Sequence, residues 1–256
     1  MHGEEEIPVY SASEIAATVL DFLTFLTTLH CHPGDLVMPP PGGWPSYTPE
    51  KCAGFKSDFA IEVLRNLPHL GSRASDHMDS LGQIHYKSHL LDYTTFDSER
   101  FTDQEYLWSG GEESEGEESV PDHVFIFAKG FESGGRTLFL DAQEGKIFEE
   151  EIRCDSSEED LKEYFEDLKE KYRNLDLIPC PGEGMIEVSA TGVGPEGLGE
   201  TLSEEEVLMQ ADPLWGTHLD IRYTRQLYRA FGWPNAFRRD EAFREMKKLI
   251  EKRKSY

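Results

Sequence analysis

Several groups of residues in this chain have side chains that can do chemistry. His30-Cys31-His32, with Cys52 further on, offer the nitrogen and sulfur donors that zinc takes. Structural zinc sites draw paired ligands from two places, and here the second place supplies only Cys52. A helix end entering a proline-rich loop accounts for the cluster better. His85 and His89 lie four apart, a spacing that shares a face on a helix or on one strand, but no Glu follows His85 as a zinc-protease motif requires. Asp76-His77 with Ser72, Ser75 and Ser80 invites a hydrolase reading, yet no sharp GxSxG elbow presents a serine. Gly130–Gly135 lacks the spacing of a phosphate loop and falls between two β-rich runs, so it is expected to be a hairpin turn. Asp141 is expected to accept backbone N–H groups in the turn to Gly145. The acidic runs Glu112–Glu118 and Glu204–Glu206 lack the alternate spacing of a calcium loop. No catalytic set, metal site or cofactor is therefore expected. A hydrolase using carboxylates or histidines remains the second alternative.

The elements that would position these residues are clearest over Val120–Ile152. His123–Ala128, Thr137–Leu140 and Lys146–Ile152 read as three strands joined by short turns, an antiparallel meander. Ser156 or Ser157 is expected to cap a helix over Glu158–Leu175, with Leu161, Tyr164, Phe165, Leu168 and Tyr172 on one stripe. Upstream, Ser13 is expected to cap a helix over Glu14–His30, and Phe55–Leu67 reads as a second helix. Between them, Pro33–Pro49 holds six prolines and must be irregular, with Trp44 and Tyr47 pinning it. Ile84–Tyr93 reads as one strand, and Ser109–Ser119, without an apolar side chain, as an acidic flexible insert. Cys180–Gly199 is rich in Gly and Pro and marks a boundary. Beyond it, short helices are expected over Ser203–Gln210, Asp220–Phe231 and Arg239–Lys254. The last is basic, with eight Lys/Arg against four Asp/Glu over Arg238–Lys254. A helix of that charge beside an acidic body could dock on it in cis.

Composition bounds the function. The chain has 256 residues with a formal charge of -25, which repels nucleic acid phosphates and anionic lipid and attracts basic proteins. Cys31, Cys52, Cys154 and Cys180 are scattered, as suits a reduced compartment, and no secretory signal opens the sequence. Ile15–Leu29 is read as too short and too polar to span a bilayer. The expected location is the cytoplasm or nucleus. The expected partner is a basic protein, with no nucleic acid and no membrane; the oligomeric state stays open.

The meander carries a resemblance. Gly134-Gly135, then Leu138, Leu140-Asp141 and Gly145-Lys146-Ile147, followed by the helix SSEEDLKEYFEDLKEKY, resemble the SUKH superfamily, which includes a fungal cell wall assembly regulator and bacterial toxin-immunity proteins. The specific part covers Val120–Tyr172. The resemblance implies an α+β fold, an antiparallel twisted sheet with packed helices, over residues 13–179. A tail (residues 1–12) would precede it, and a linker with a C-terminal helical extension (residues 180–256) would follow. It also implies a non-enzymatic protein-binding scaffold or regulatory module, or alternatively an immunity-type inhibitor of a basic toxin or nuclease. The surface residues nominated for binding are Phe131, Glu132 and Arg136 at the meander tip and Trp215 and Trp233 in the extension.

Overall fold

The computed structural model describes residues 7–52, 56–71, 82–97, 99, 120–151, 156–189, 201–212 and 214–255. The fold is α+β. Helix α1 spans Ala12–Leu29, and Ser11, not Ser13, caps it, because Glu14 closes a capping box with Ser11. A 3-10 turn at Pro33–Asp35 leads into β1 (Leu36–Val37), which pairs with β2 (His69–Leu70) after α2 (Asp58–Asn66). Ser57 caps α2, so that helix begins after the expected Phe55.

The main sheet has six antiparallel strands in sequential order. They are β3 (Gln83–His85), β4 (Ser88–Leu90), β5 (Val124–Gly130), β6 (Arg136–Asp141), β7 (Lys146–Glu151) and β8 (Ser156–Asp160). The expected single strand Ile84–Tyr93 is instead a tight hairpin turning at Tyr86-Lys87, with Lys87 at φ +47°. The expected helix start at Glu158 is also corrected. Ser156–Asp160 continues the sheet, and Asp160 caps α3 (Leu161–Arg173) by accepting from the amides of Lys162 and Glu163. The expected linker after Cys180 begins as a buried hairpin of β9 (Leu177–Cys180) and β10 (Gly184–Glu187).

The core lies between one face of the sheet and the helices. Along β5 the pleat turns Phe125 and Phe127 inward, to meet Leu138, Leu140 and Ile147 from β6 and β7. Phe165 of α3 lies 5.7 Å from Phe127 and 4.8 Å from Phe22 of α1, so α3 is the layer between sheet and α1. Val124, Ile126 and Phe139 alternate to the opposite face and form a smaller enclosed cluster with Val120. Helix α1 has the length and apolar composition of a membrane-crossing helix, longer than the expected Ile15–Leu29 stretch. Ile15, Val19, Phe22, Leu23, Leu26 and Leu29 are nevertheless enclosed against α2 and α3, as in a core helix.

The C-terminal helices are α4 (Glu204–Leu208), α5 (His218–Ala230) and α6 (Arg239–Ser255), close to the expected spans. They share the main core. Trp233 Nε1 donates to the Tyr172 carbonyl at 2.9 Å, and Tyr228 Oη donates to the Pro179 carbonyl at 2.5 Å. Arg225 donates to the Leu175 carbonyl at 3.0 Å and pairs with Asp176 at 2.7 Å. The basic helix docks in cis through Lys252–Glu204, Lys254–Glu183 and the buried Arg253–Asp220 pair.

Gly145 makes the β6–β7 turn possible. It sits at φ +63°, and a Cβ there would lie 2.4 Å from the Tyr10 ring. Tyr10 in turn donates to Asp160 at 2.7 Å, tying the N-terminal segment to the start of α3. Gly145→Ala is expected to lower stability by about 2 kcal/mol, from left-handed strain plus displacement of Tyr10. Urea unfolding of the two proteins would measure it; an unchanged midpoint would refute the role given to this glycine.

Candidate functional site

The structure gathers charge around Arg136. It opens β6 opposite Glu151 of β7, and residues two apart on a strand share a face, so Glu149 lies beside it too. Its Nε is 2.9 Å from Glu149, Nη1 is 2.7 Å from Glu151 and Nη2 is 2.8 Å from Glu187 of β10. Nη1 also donates to the Gly134 carbonyl at 2.8 Å. Burial pulls the guanidinium pKa down, but Glu187, Glu151 and Glu149 more than offset this and leave it raised. The Glu187 carboxyl is held above the ordinary range by burial, with Arg136 and Lys171 opposing. Tyr164 of α3 donates to Glu149 at 2.7 Å; burial and then Glu149 push its phenol well above 10.

His85 closes this cluster from β3. Its Nδ1 accepts from the Tyr86 amide at 2.7 Å, which places the proton of the neutral ring on Nε2. Nε2 makes no hydrogen bond and points toward Glu149 at 3.7 Å. Burial, then Lys171 and Arg136, hold its pKa well below 6.5. His85 and His89 do not share one strand face. The hairpin places them on β3 and β4, and His89 stacks on Phe131 at 5.1 Å.

From this cluster a band of carboxylates runs outward along the sheet edge. Strands β7 and β8 together carry six carboxylates against the single cation Lys146, divided by the pleat: Glu149, Glu151 and Glu159 lie on the face of Ile147, and Glu150, Glu158 and Asp160 on the face of Phe148. Lys146 is paired with Glu158. Glu163 and Asp167 of α3 adjoin the band and are exposed. Burial raises the Glu159 carboxyl, and Asp167 and Glu163 raise it further. Lys171 opposes them, and the repulsion among Glu159, Glu163 and Asp167 favours a cation beside Glu159.

The five nominated binding residues are not brought together. Phe131 and Glu132 share the meander tip, where Glu132 sits at φ +59° and is 3.3 Å from Lys87. Arg136 lies behind them, with its side chain 10% exposed. Trp233 is 7% exposed in the core, and Trp215 is half-buried against that core near Cys180. The sequence reading weighed His85 only with His89, missed Glu149, Glu151, Glu187 and Tyr164 as partners of Arg136, and looked for acidity at Glu112–Glu118 and Glu204–Glu206. The available signal was the triplet Glu149–Glu151 at a strand end that must pair with Arg136.

The other candidates take plain roles or fall elsewhere. His30 donates through Nε2 to the Gln83 carbonyl at 2.9 Å and stacks on Tyr172, while His32 caps the Pro33 turn. Burial pushes the Cys31 and Cys180 thiols to about 12. Asp141 accepts from the Glu144 amide at 2.8 Å in its turn. Among the described residues no group of three or more His, Cys, Asp or Glu could hold a metal ion. Ser72, Ser75, Asp76, His77, Ser80, Ser109–Ser119 and Cys154 lie outside the described residues. A hollow of about 420 Å³, lined in part by Phe25, Arg173 and Phe237, includes none of the carboxylates of β7 and β8 in its lining.

Compared with known proteins, the chain matches no family model, no curated protein and no solved structure.

Two measurements test the electrostatics. Arg136→Met would leave the enclosed Glu187 and the partly buried Glu149 and Glu151 without their cation and is expected to cost about 3 kcal/mol at pH 7. The loss should shrink as pH falls and Glu187 protonates, because burial already holds its folded pKa above the unfolded one. Urea unfolding at pH 7 and pH 5 would show it; a loss independent of pH would refute the charge origin. The enclosed His30 is depressed from 6.5 to about 4 by burial. Below pH 6.5 the unfolded chain binds a proton that the folded chain refuses until about pH 4, so stability falls across that window. Its share between pH 7.5 and 5 is about 2 kcal/mol. His30→Phe should flatten the pH slope by that amount, whatever its absolute stability.

Proposed function

We propose that this chain is a non-enzymatic, SUKH-like protein-binding module whose acidic sheet edge steers and seats a basic protein partner. The observation that carries this reading is the set of carboxylates at the β7–β8 edge that Arg136 does not hold, Glu150, Glu158, Glu159 and Asp160, with Lys146 as the one cation on these strands. Glu159, raised by burial and then by Asp167 and Glu163, supports it, since a partner's Lys or Arg would relieve the repulsion from those neighbours. The excess of acid over base in the whole chain would speed encounter with a basic surface, and apolar anchoring would follow at the rim.

The test neutralises exposed members of the band that do not hold the Arg136 cluster. Wild type and the Glu158→Gln, Glu163→Gln, Asp167→Asn variant are used as bait in native cell extract at about 50 and about 500 mM salt, a range that largely screens exposed charges. A basic protein retained by wild type at low salt, released at high salt and lost by the variant is the expected outcome. Equal retention by the variant, or capture that ignores salt, would overturn the reading. Deleting residues 181–256 is no substitute test, because Tyr228 and Trp233 belong to the core.

A further inference from the structure

The two ends of the six-stranded sheet differ. At one end, Gln83, Ile84 and His85 of β3 are all buried, and β10 lies against them. At the other end, β8 pairs with β7 on one side and has no strand beyond it among the described residues. Ser157 and Glu158 in β8 are exposed. An edge strand presents a row of backbone donors and acceptors that another strand can use. On β8 that row is flanked by Glu158, Glu159 and Asp160, with no cation on the strand itself.

We propose that the partner adds to this edge as a seventh strand: an extended segment of a basic protein with Lys or Arg at alternate positions. The charge pattern selects the occupant. A second copy of β8 would set carboxylates opposite carboxylates, which disfavours self-pairing. A strand with alternate cations would instead place its positive side chains on one face, opposite acidic residues of β8, while its backbone continues the ladder. The acids of β7, one strand spacing inward, and Glu163 and Asp167 of α3 extend the complementary surface. The bland role of edge charges is to block aggregation. That role is met by charges of either sign, whereas β8 carries three acids and no base, and β7 beside it carries three acids and one lysine.

This inference rests on the acidic band being the docking face, and the test separates the two. The probe is a synthetic peptide of repeating Lys-Val pairs, compared with two copies of it N-methylated on either the Lys or the Val amides. Charge is the same in all three. A strand uses every second amide toward one neighbour, so one methylated peptide should bind at least about tenfold more weakly and the other nearly as well as the parent. Amides of Ser156–Asp160 should gain protection from hydrogen exchange on binding the parent peptide. Equal binding by all three peptides would overturn strand addition and leave the acidic face standing. Failure of all three to bind, or binding mapped away from β7, β8 and α3, would overturn both. Loss of binding by both methylated peptides without new protection in β8 would also overturn strand addition.

Discussion

A guanidinium enclosed among three carboxylates governs how this molecule is assembled. Arg136 cannot sit where it does without partners, because an enclosed charge left alone is costly. Its partners come from β7 and from β10, which are far apart in sequence, so satisfying one side chain fixes the meander against the C-terminal hairpin. Tyr164 and His85 then bring α3 and the β3 hairpin to the same carboxylate, Glu149. The arrangement holds more acid than base, and so the interior end of the sheet is already negative before the surface charges are added.

Acidity elsewhere on the chain is partly cancelled from within. The basic helix α6 spends Lys252 on Glu204, Arg253 on Asp220 and Lys254 on Glu183. Lys169 is likewise held by Asp21 and Glu166. These pairs lie along the C-terminal helices and the α1–α3 seam. On the β7–β8 edge Lys146 pairs with Glu158 and Arg136 holds Glu149 and Glu151, which leaves Glu159 and Asp160 without a cation from these strands. The surplus negative charge is thus concentrated by the fold, although the sequence spreads acidic residues through its whole length.

What could be read from the sequence was what is local. The meander strands have alternating apolar residues and glycine turns, so Val124–Gly130, Arg136–Asp141 and Lys146–Glu151 were legible. Among the C-terminal helices, Glu204–Leu208 was legible from its Ser203–Glu206 capping box and His218–Ala230 from the apolar Ile221, Leu227 and Tyr228. The β3–β4 hairpin was not legible because its turn uses Tyr86-Lys87, with Lys87 at positive φ where glycine would have signalled it. Strand β8 was missed because Ser-Ser-Glu-Glu-Asp has no apolar period; tertiary pairing with β7 overrides a sequence that resembles a helix start. The β9–β10 hairpin was hidden by Pro179, Pro181, Gly182 and Gly184, which suggest a linker. Pro179 is tolerated there because a two-stranded ribbon leaves its missing donor without a ladder partner to disappoint. The Arg136 cluster needed β10 to be known, so its third carboxylate was beyond reach of any local pattern.

Burial of the C-terminal aromatics decides what the last quarter of the chain can be. Tyr228, Trp233, Phe237 and Phe243 form a ring-stacked group, with Trp233 and Phe237 centroids 4.8 Å apart. Trp233 also caps the Tyr172 carbonyl, while the Tyr172 hydroxyl donates to the Ile84 carbonyl and its ring stacks on His30. One tyrosine therefore links α1, β3, α3 and the segment before α6. A partner that recognised Trp233 would have to open this group and expose apolar rings with it, which opposes binding. An acidic edge asks for no such rearrangement. Its charges are already on the surface and already repelling one another, so a basic segment can gain from them without unfolding anything.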